Sequence, residues 1–324
     1  MKVSVVVPTY RRPGMLERCL AALVTQEFDP RQYEIVVADD GPDAETQAVV
    51  ERWAAGTCGS PAIRYVPVTG TQGPAGARNR GWRAAMGEVI AFTDDDTVPH
   101  PDWLREGWKA MAPDVTAASG RVIVPPPQGV PTDYEKDIAR MEEAEFVTAN
   151  CFVRRQAMVA IGGFDERFTS AWREDSDLQF MLLKAQGRVV KAWDAVVKHP
   201  VRPVADWTYG LRQHRKIMFD ALLFKKHPEM YRQRIRRSPP WHYYAIIAGF
   251  LVMLAGLVMR DAPLTVAGLI AWAGLTVAFL RKRLQGTSRH PGHIAEMVVT
   301  SIAIPFVAVY WRLMGAWRFR VFFL

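Results

Sequence analysis

The chain has 324 residues, 49% of them hydrophobic and 23% charged, which is enough apolar material for a large folded domain and an appendage and excludes extensive disorder. Its three cysteines show no CxxC spacing, which argues against a disulfide framework and a zinc cluster. The net charge of +8 is uneven: residues 1–200 hold 23 basic and 28 acidic side chains, and residues 201–324 hold 18 and 5. This asymmetry predicts two parts with different tasks.

The front part alternates between strand-like and helix-like segments. The predicted strands are 3–8, 34–39, 63–68 and 89–94, and the predicted helices are about 13–25, 43–54, 74–86, 101–111 and 174–186. Alternation of this kind predicts an α/β domain with a mostly parallel sheet buried on both faces. The first apolar run is too short for a signal peptide, so we expect this domain, residues 1–204, to be cytoplasmic.

The rear part carries three apolar stretches behind a basic segment. Residues 205–240 predict a basic amphipathic linker helix at a membrane surface. The stretches 241–259 and 262–280 contain no Asp, Glu, Lys or Arg, and 19 helical residues extend about 28 Å, close to the thickness of a bilayer core. Basic clusters on both flanks predict a spanning hairpin with both ends in the cytoplasm. A third stretch, about 294–317, includes a glutamate and a proline, and we expect it to lie at the interface.

Acidic residues follow two of the predicted strands. Asp39 and Asp40 end the second strand, and Asp94 and Asp96 end the fourth within the triplet Asp94-Asp95-Asp96. Because the carboxyl ends of parallel strands meet at one edge of a sheet, we expect these carboxylates to line a common crevice. Carboxylates and substrate phosphates are the usual ligands of Mg²⁺, which suggests a divalent cation and a nucleoside diphosphate. For an isolated acidic triplet, a solvated turn is the alternative.

Four stretches taken together resemble family 2 glycosyltransferases of the GT-A fold. They occur in the family's order over residues 1–200: VSVVVPTYRRPGMLERCLAAL, EIVVADDGPD, GPAGARNRGWRAAMGEVIAFTDDDTVPHPDWL, and GGFDERF leading into WREDSDL. The resemblance implies a Rossmann-like GT-A domain that transfers one sugar with inversion from a nucleotide-diphosphate sugar, with UDP favoured and with Mg²⁺ or Mn²⁺ as cofactor. Pro42, where relatives often carry Ser, and Thr97, where another Asp is common, depart from the family's usual pattern.

By this resemblance, the nucleotide-sugar donor would bind beside the first two strands. Asp39 would accept a hydrogen bond from the base, and Asp40 would either touch the ligand or cap the turn that follows it. Arg78, in GARNRG, would lie near the diphosphate and the sugar, with a surface arginine as the alternative. The residues expected to line the nucleotide pocket are Pro8, Thr9, Tyr10 and Arg11.

The acidic triplet matches the family's DxD motif. Asp94 and Asp96 occupy its first and last positions, and Asp96 is the expected direct metal ligand. Asp95 belongs to the donor-binding stretch, but we expect its side chain to point away from the metal and to be solvated. His199, in VVKHP, stands where many relatives carry a histidine near the metal or the diphosphate; an ordinary polar residue is the alternative.

The stretch WREDSDL matches the family's catalytic base. Asp175 would remove the proton from an acceptor hydroxyl, with Glu174 beside it, whereas Asp177 is expected to be an exposed helix acid. A phosphate acceptor is already anionic and needs no base, so the acid pair favours a hydroxyl acceptor. The segment RQHRK at 212–216 keeps only the Gln of the QxxRW motif of processive synthases, which favours the transfer of a single sugar.

The basic and apolar rear part indicates the location and the acceptor. A domain held at anionic lipid headgroups is expected to act on a lipid-linked or glycolipid acceptor, at a bacterial inner membrane and in the synthesis of cell-envelope glycans. A polyprenyl-phosphate glycosyltransferase is the alternative; a nucleotidyltransferase and a non-catalytic membrane-associated binding protein are the other classes. Because the basic clusters adjoin apolar stretches, membrane lipids explain them better than nucleic acid does.

Overall fold

The computed structural model describes residues 1–202, 206 and 208–323, and the chain divides into two compact units. The first unit comprises Met1–Pro125 and Ala139–Val201, and the second comprises Pro126–Ile138 and Arg202–Leu324. The predicted boundary between residues 204 and 205 lies outside the described residues, and the division at 204 and 240 stays a prediction. The sequence did not suggest that a segment between two strands of the front part groups with the rear unit.

The first unit is built on an eight-stranded mixed sheet. Its strands are β1 (Val3–Thr9), β2 (Tyr33–Asp39), β3 (Ala62–Pro67), β4 (Val89–Thr93), β5 (Val98–Pro99), β6 (Ala117–Ile123), β7 (Asn150–Arg154) and β8 (Val189–Lys198). Their order across the sheet is β3-β2-β1-β4-β7-β6-β8-β5. The strands β3, β2, β1 and β4 are parallel, whereas β7 runs antiparallel to both of its neighbours. The predicted α/β sheet is confirmed, and the four predicted strands lie within one residue of their expected bounds.

The register of the parallel strands brings their carboxyl ends to one edge of the sheet. Thr9 in β1 lies opposite Asp39 in β2, and Asp39 lies opposite Pro67 in β3. Strands β2 and β4 are buried along their whole length, which explains their continuous runs of Val, Ile, Ala and Phe. The acids that follow these strands are therefore held at the rim of a rigid core.

Helices connect the strands of the first unit. Up to residue 201 the helices are α1 (Pro13–Val24), α2 (Ala44–Gly56), α3 (Pro74–Ala84), α4 (Trp103–Ala110), α5 (Asp133–Ala139), α6 (Arg155–Ile161) and α7 (Glu174–Lys184), of which α5 lies almost wholly in the segment that belongs to the second unit. Helix α2 begins after Asp43, whose carboxylate accepts hydrogen bonds from the Thr46 backbone N–H (2.9 Å) and hydroxyl (2.8 Å). Helix α3 begins after Gly73, which has φ 114° and where a Cβ would lie 3.0 Å from the Thr169 backbone, so only glycine fits there.

The second unit is helical in the part that the structure describes. Its helices after residue 208 are α8 (Tyr209–Gln213), α9 (Met218–Lys226), α10 (Pro228–Met230), α11 (Trp241–Met259), α12 (Ala262–Arg283) and α13 (Pro291–Arg318). The stretch predicted as one linker helix is thus divided into short helices. Pro228 ends α9, because the residue before a proline is kept out of the helical region; His227 has φ −141° and ψ 60°.

Three helices of this unit, α11, α12 and α13, are long and apolar enough to cross a membrane by length and composition. Helices α11 and α12 form the predicted hairpin, with Asp261 accepting a hydrogen bond of 3.0 Å from the Leu264 N–H at the turn. The third stretch, for which the sequence favoured an interfacial position, is one continuous helix through Pro305. By length and composition, α13 is as able to cross a membrane as α11 and α12 are, so its interfacial position stays a prediction.

One cation of the second unit binds the inserted segment, Pro126–Ile138, to the helices of that unit. The guanidinium of Arg283, at the end of α12, donates to Asp133 Oδ2 (2.8 Å), Thr300 Oγ1 (2.8 Å) and Ser301 Oγ (3.0 Å). The Asp133 N–H in turn donates to His293 Nε2 (3.1 Å). Arg283 therefore has an internal structural role, although the sequence placed it only in a basic cluster that flanks the apolar stretches.

The close packing of α11 against α12 depends on glycines. A Cβ added to Gly268 would lie 2.3 Å from the Met253 backbone nitrogen, whereas a Cβ added to Gly274 in the same helix meets nothing within 4 Å. We expect Gly268→Ala to lower the free energy of unfolding by about 1–3 kcal/mol through overpacking. Gly274→Ala is the matched control and is expected to be neutral or to stabilise by up to about 1 kcal/mol. Thermal unfolding in detergent compares them, and equal stabilisation by both substitutions would show that the hairpin is packed differently.

Candidate active site

The candidate site lies in the first unit, at the edge of the sheet where β1, β2 and β4 end. The triplet Asp94-Asp95-Asp96 follows β4, and Asp39 is the last residue of β2. Helix α3 brings in Arg78, helix α7 brings in Glu174 and Asp175 in its first turn, and His199 directly follows β8. Residues from distant parts of the chain thus lie together at one edge of the sheet.

Asp94, Asp96 and His199 form a potential metal-binding group. Each offers one ligand atom, and these atoms all lie within 4.8 Å of one another. His199 Nε2 is 3.6 Å from Asp96 Oδ1, and both side chains are largely buried. Two ligands on opposite sides of a Mg²⁺ ion lie about 4.2 Å apart, so the group is only slightly wider than a coordination shell. The donor set therefore fits a small divalent cation, and the imidazole favours a transition ion such as Mn²⁺ over Mg²⁺.

Asp95 faces away from this group and has an internal structural role. Its carboxylate accepts hydrogen bonds from Thr9 Oγ1 (2.8 Å) and from Arg12 Nη1 (3.2 Å). The side chain is buried, so the expectation that it is solvated is wrong. Burial raises the pKa of Asp95 to about 6, although the Arg12 guanidinium opposes this shift. Asp95 thereby ties the loop after β1 to the loop after β4.

Arg78 connects the acidic triplet with the acid pair of α7. Its guanidinium donates to Asp94 Oδ1 (2.7 Å) through Nη2 and to Glu174 Oε1 (3.0 Å) through Nη1. The residue is only 2% exposed, which rules out the surface alternative. A buried arginine between two carboxylates compensates part of their charge and fixes their separation.

The two acids of the WREDSDL stretch have different surroundings. Glu174 is buried against Arg78, whereas Asp175 is less buried and accepts hydrogen bonds at Oδ1 from the Ser176 N–H (2.6 Å) and hydroxyl (3.3 Å). Burial raises the pKa of Glu174 to about 7 against the opposing charge of Arg78. Burial also raises the pKa of Asp175, opposed by the Ser176 N–H. Asp177 is fully buried, so the prediction of an exposed helix acid is wrong.

The acids at the end of β2 organise the neighbouring loops. Asp39 accepts hydrogen bonds from the Tyr65 hydroxyl (2.8 Å) and the Gly41 N–H (3.1 Å). Both oxygens of Asp40 accept from the Gly73 N–H, at 2.9 and 2.8 Å. Asp40 therefore does not cap the turn at Gly41-Pro42 but fixes the loop that leads into α3. Asp39 is fully buried and also accepts from the Asp43 N–H (3.4 Å), so the expected hydrogen bond from a base stays a prediction.

The four residues from Pro8 to Arg11, at the end of β1 and just after it, differ in their exposure to solvent. Thr9 is buried and bonded to Asp95, and Pro8 is partly exposed. The ring of Tyr10 covers Gly41, at which a Cβ would approach the ring to 2.5 Å, and the residue is 47% exposed. Arg11 has φ 51° and its guanidinium lies 5.3 Å from the Tyr10 ring centroid. An exposed aromatic ring beside a cation suits a base and a phosphate, and these roles remain predictions.

Two residues of the site were not assigned a role from the sequence. Arg12 holds Asp95, and Asn79 connects α3 to the GGFDERF stretch by donating to the Phe164 carbonyl (2.9 Å) and Glu166 Oε1 (2.8 Å). Both lie inside stretches that were quoted for the resemblance, next to Arg11 and Arg78. Adjacency to a predicted site residue is the only feature of the sequence that points to them.

Both the sequence and the fold are similar to those of known glycosyltransferases. Residues 4–170, just over half of the chain, match the family model described as "Glycosyl transferase family 2", and residues 89–281 match "Glycosyl transferase family group 2". The chain is 25% identical over 218 residues to glycosyltransferase AglE of Haloferax volcanii, covering 63% of this chain and 68% of AglE. It is 35% identical over 96 residues to the GalNAc(5)-diNAcBac-PP-undecaprenol beta-1,3-glucosyltransferase of Campylobacter jejuni, covering 29% of each protein.

Among solved structures, the fold is similar to that of mannosyltransferase PcManGT from Pyrobaculum calidifontis in complex with GDP-Man and Mn²⁺. The TM-score is 0.58 at 20% sequence identity, and the match covers 98% of this chain and 87% of the other. At this identity the likeness shows a shared GT-A fold.

Proposed function

The chain belongs to glycosyl transferase family 2, and on this premise we propose that it transfers one sugar, with inversion, from a nucleotide-diphosphate sugar to a hydroxyl of a lipid-linked or membrane-associated acceptor. The observation that carries the proposal is the Arg78 bridge. It joins Asp94, a member of the potential metal group, to Glu174, which adjoins Asp175. The potential metal group, which suits a diphosphate, and Asp175, which suits the proton of an acceptor, thus lie at the same edge of the sheet.

The donor's diphosphate is proposed to lie at the Asp94-Asp96-His199 group. A bound Mn²⁺ or Mg²⁺ would stabilise the negative charge that develops on the leaving nucleoside diphosphate. The PcManGT structure is a complex with Mn²⁺ and GDP-Man, which supports a metal and a nucleotide sugar without fixing the nucleotide here. The family resemblance favours UDP. The nucleoside would lie over Pro8, Thr9, Tyr10 and Arg11, within reach of Asp39.

Asp175 is the proposed general base. The hydrogen bonds that it accepts from Ser176 both go to Oδ1, which leaves Oδ2 to accept the proton of the acceptor hydroxyl as that oxygen attacks C1 of the sugar. The bond from C1 to the phosphate oxygen breaks as the new glycosidic bond forms, so one displacement inverts C1. Glu174 accepts a hydrogen bond from Arg78 and so holds that arginine beside the base.

Membrane attachment through the second unit is proposed from its exposed apolar surface. Helices α11 and α12 expose large hydrophobic side chains that no described residue covers, among them Leu257, Val258 and Ile270, at 57%, 84% and 66% exposure. Surfaces of this extent are rare on soluble monomers. One relative is named for an acceptor on PP-undecaprenol, which supports a lipid-linked acceptor. The second unit would hold the enzyme at the bilayer that contains this acceptor.

Thermal stabilisation of the detergent-purified protein tests the donor site. We expect one of UDP, GDP, dTDP and CDP to stabilise it in the presence of Mn²⁺ and not of EDTA, by about 2.7 kcal/mol at a hundredfold excess over the Kd. Asp96→Asn should abolish the ligand-induced shift, because it replaces an anionic metal ligand with a neutral amide of nearly the same shape. Asp114→Asn, at an exposed position in the same unit, is the control and should keep the shift.

Each outcome of this experiment has a distinct meaning. A metal-dependent shift that Asp96→Asn removes supports the metal group and identifies the nucleotide. A shift of the same size in EDTA would contradict a metal-dependent donor site. The absence of a shift with every nucleotide would favour a non-catalytic binding protein on the same fold.

A further inference from the structure

The second unit contains a cavity of about 980 Å³ between α9 and the start of α11 that the proposed transfer reaction does not use. Its lining includes Arg232, Arg234, Arg236, Arg237 and Arg312. Cavities of this size hold small molecules or the headgroups of lipids. We call it the arginine cavity.

The lining of the arginine cavity combines positive charge with aromatic rings. Five of the described lining residues are arginines, five are Phe, Tyr or Trp, and none is an aspartate or a glutamate. These arginines come from two separate parts of the chain: Arg312 belongs to α13, and the other four precede α11. Such a concentration of guanidinium groups raises the local concentration of anions.

Aromatic rings hold two of these guanidinium groups in position. Arg312 is 4% exposed, and its guanidinium lies 3.6 Å from the centroid of Phe323. The guanidinium of Arg232 lies 5.1 Å from the centroid of Phe224. Arg232 is exposed, so its N–H groups can still reach the oxygens of a phosphate, which a guanidinium matches in geometry.

The position of the cavity along the chain suggests what carries the phosphate. Ser238, Pro239 and Trp241 line it, and Trp241 is the first residue of α11, the first of the apolar helices. A tryptophan at such a helix end is typical of the membrane–water interface. A ligand with its anionic group in the cavity could therefore extend an acyl or prenyl chain along α11.

We propose that the arginine cavity binds the phosphate headgroup of an anionic membrane lipid. The inference rests on the proposed placement of the second unit at a membrane, and it does not depend on the sugar-transfer reaction. Lipid binding in detergent needs neither a bilayer nor an active catalytic site. A failure of this test is therefore distinguishable from a failure of the proposed transfer.

The test measures lipid binding to the full chain in detergent by native mass spectrometry and by thermal stabilisation. The probes are dioleoyl phosphatidic acid, dioleoyl phosphatidylcholine, glycerol 3-phosphate and inorganic phosphate. We expect phosphatidic acid to bind and to stabilise, and the other three to do so at least about ten-fold more weakly, because only phosphatidic acid supplies both an open phosphate and a chain.

Variants locate the site. Arg236→Gln/Arg237→Gln removes two exposed lining arginines and should weaken phosphatidic acid binding about ten-fold or more. Arg281→Gln/Lys282→Gln, at exposed positions at the end of α12, removes the same charge outside the cavity and should leave binding within about two-fold.

Three results would overturn the proposal. Equal weakening by both double variants would indicate attraction by net charge alone. Binding of free phosphate as tight as that of phosphatidic acid would indicate a site for a soluble anion. An absence of binding by every probe would show that the cavity takes no phosphate.

Discussion

Asp175→Asn is expected to lower kcat by about 10²- to 10⁴-fold, the contribution typical of a positioned general base. The substitution keeps the shape of the side chain and the acceptor oxygen for the Ser176 N–H, so α7 should begin as before. The amide cannot take up the proton of the acceptor hydroxyl. Donor binding, measured as nucleotide-induced thermal stabilisation with Mn²⁺, should be unchanged, which separates a loss of chemistry from a loss of fold.

The pH profile gives a second measure of the same group. The base must be ionised, and burial raises its pKa, so the wild-type kcat/KM should rise with pH through a range above the ordinary aspartate pKa of about 3.9 and then level off. Glu174 and Asp175 interact, so the observed value belongs to the pair. In Asp175→Asn this acidic limb should disappear from the residual activity.

Glu174→Gln is the comparison that assigns the base. Glu174 is bonded to Arg78 and is expected to affect kcat less, by about ten-fold, through the position of that arginine. If Glu174→Gln were the more damaging substitution, Glu174 would be the base. If Asp175→Asn kept full activity, the acceptor would be an anion that needs no base, and the polyprenyl-phosphate alternative would be favoured.

Arg78→Met is expected to destabilise the first unit by about 3–5 kcal/mol, the cost typical of breaking a buried ion pair by removing one partner. The arginine is 2% exposed and bonded to both Asp94 and Glu174. Its loss leaves Glu174 buried without its partner, so that this side chain must either carry an uncompensated charge or take up a proton, and each has a cost in free energy. Activity should fall together with stability, because the spacing between the acidic triplet and α7 is no longer fixed. Chemical denaturation in detergent, followed by the intrinsic tryptophan fluorescence, measures the change.

Two further variants test the cause of this loss. Arg80→Met, at an exposed position of the same helix, removes an equal charge and should change stability by less than about 0.5 kcal/mol. The double variant Arg78→Met/Glu174→Gln removes both members of the pair and should recover part of the lost stability. No recovery in the double variant would mean that Arg78 acts through packing rather than through its charge.

The sequence predicted the sheet and the acidic edge well because both depend on local patterns. A strand that is buried on both faces has a continuous run of apolar residues, as in VSVVVPT and VIAFT. The length of the run therefore indicates where the strand begins and ends. The carboxyl ends of parallel strands share an edge by topology alone, and this rule predicted that Asp39 and Asp94 lie at the same edge. The apolar helices α11 and α12 were predictable for the same reason, since a span needs a long run without charges.

Other features depend on contacts between distant residues, which no local pattern encodes. Asp95 and Asp177 were predicted as solvated acids, but both are buried, because Thr9 and Arg12 pair with the first and because the fold encloses the second. The tethering of the inserted segment by Arg283 and Asp133 joins positions 150 residues apart. Likewise, His199 comes within reach of Asp96 only because β8 ends beside the acidic triplet.

The sequence by itself therefore determined the fold class, the family resemblance, the apolar helices and the residue types of the site, since these follow from periodicity, composition and short motifs. Only the tertiary structure decided which acids are paired and which can act. Arg78 illustrates the difference, because its motif suggests a diphosphate but its guanidinium lies between Asp94 and Glu174. The physical reason is that burial and ion pairing are properties of the folded surroundings of a side chain and not of its neighbours in sequence.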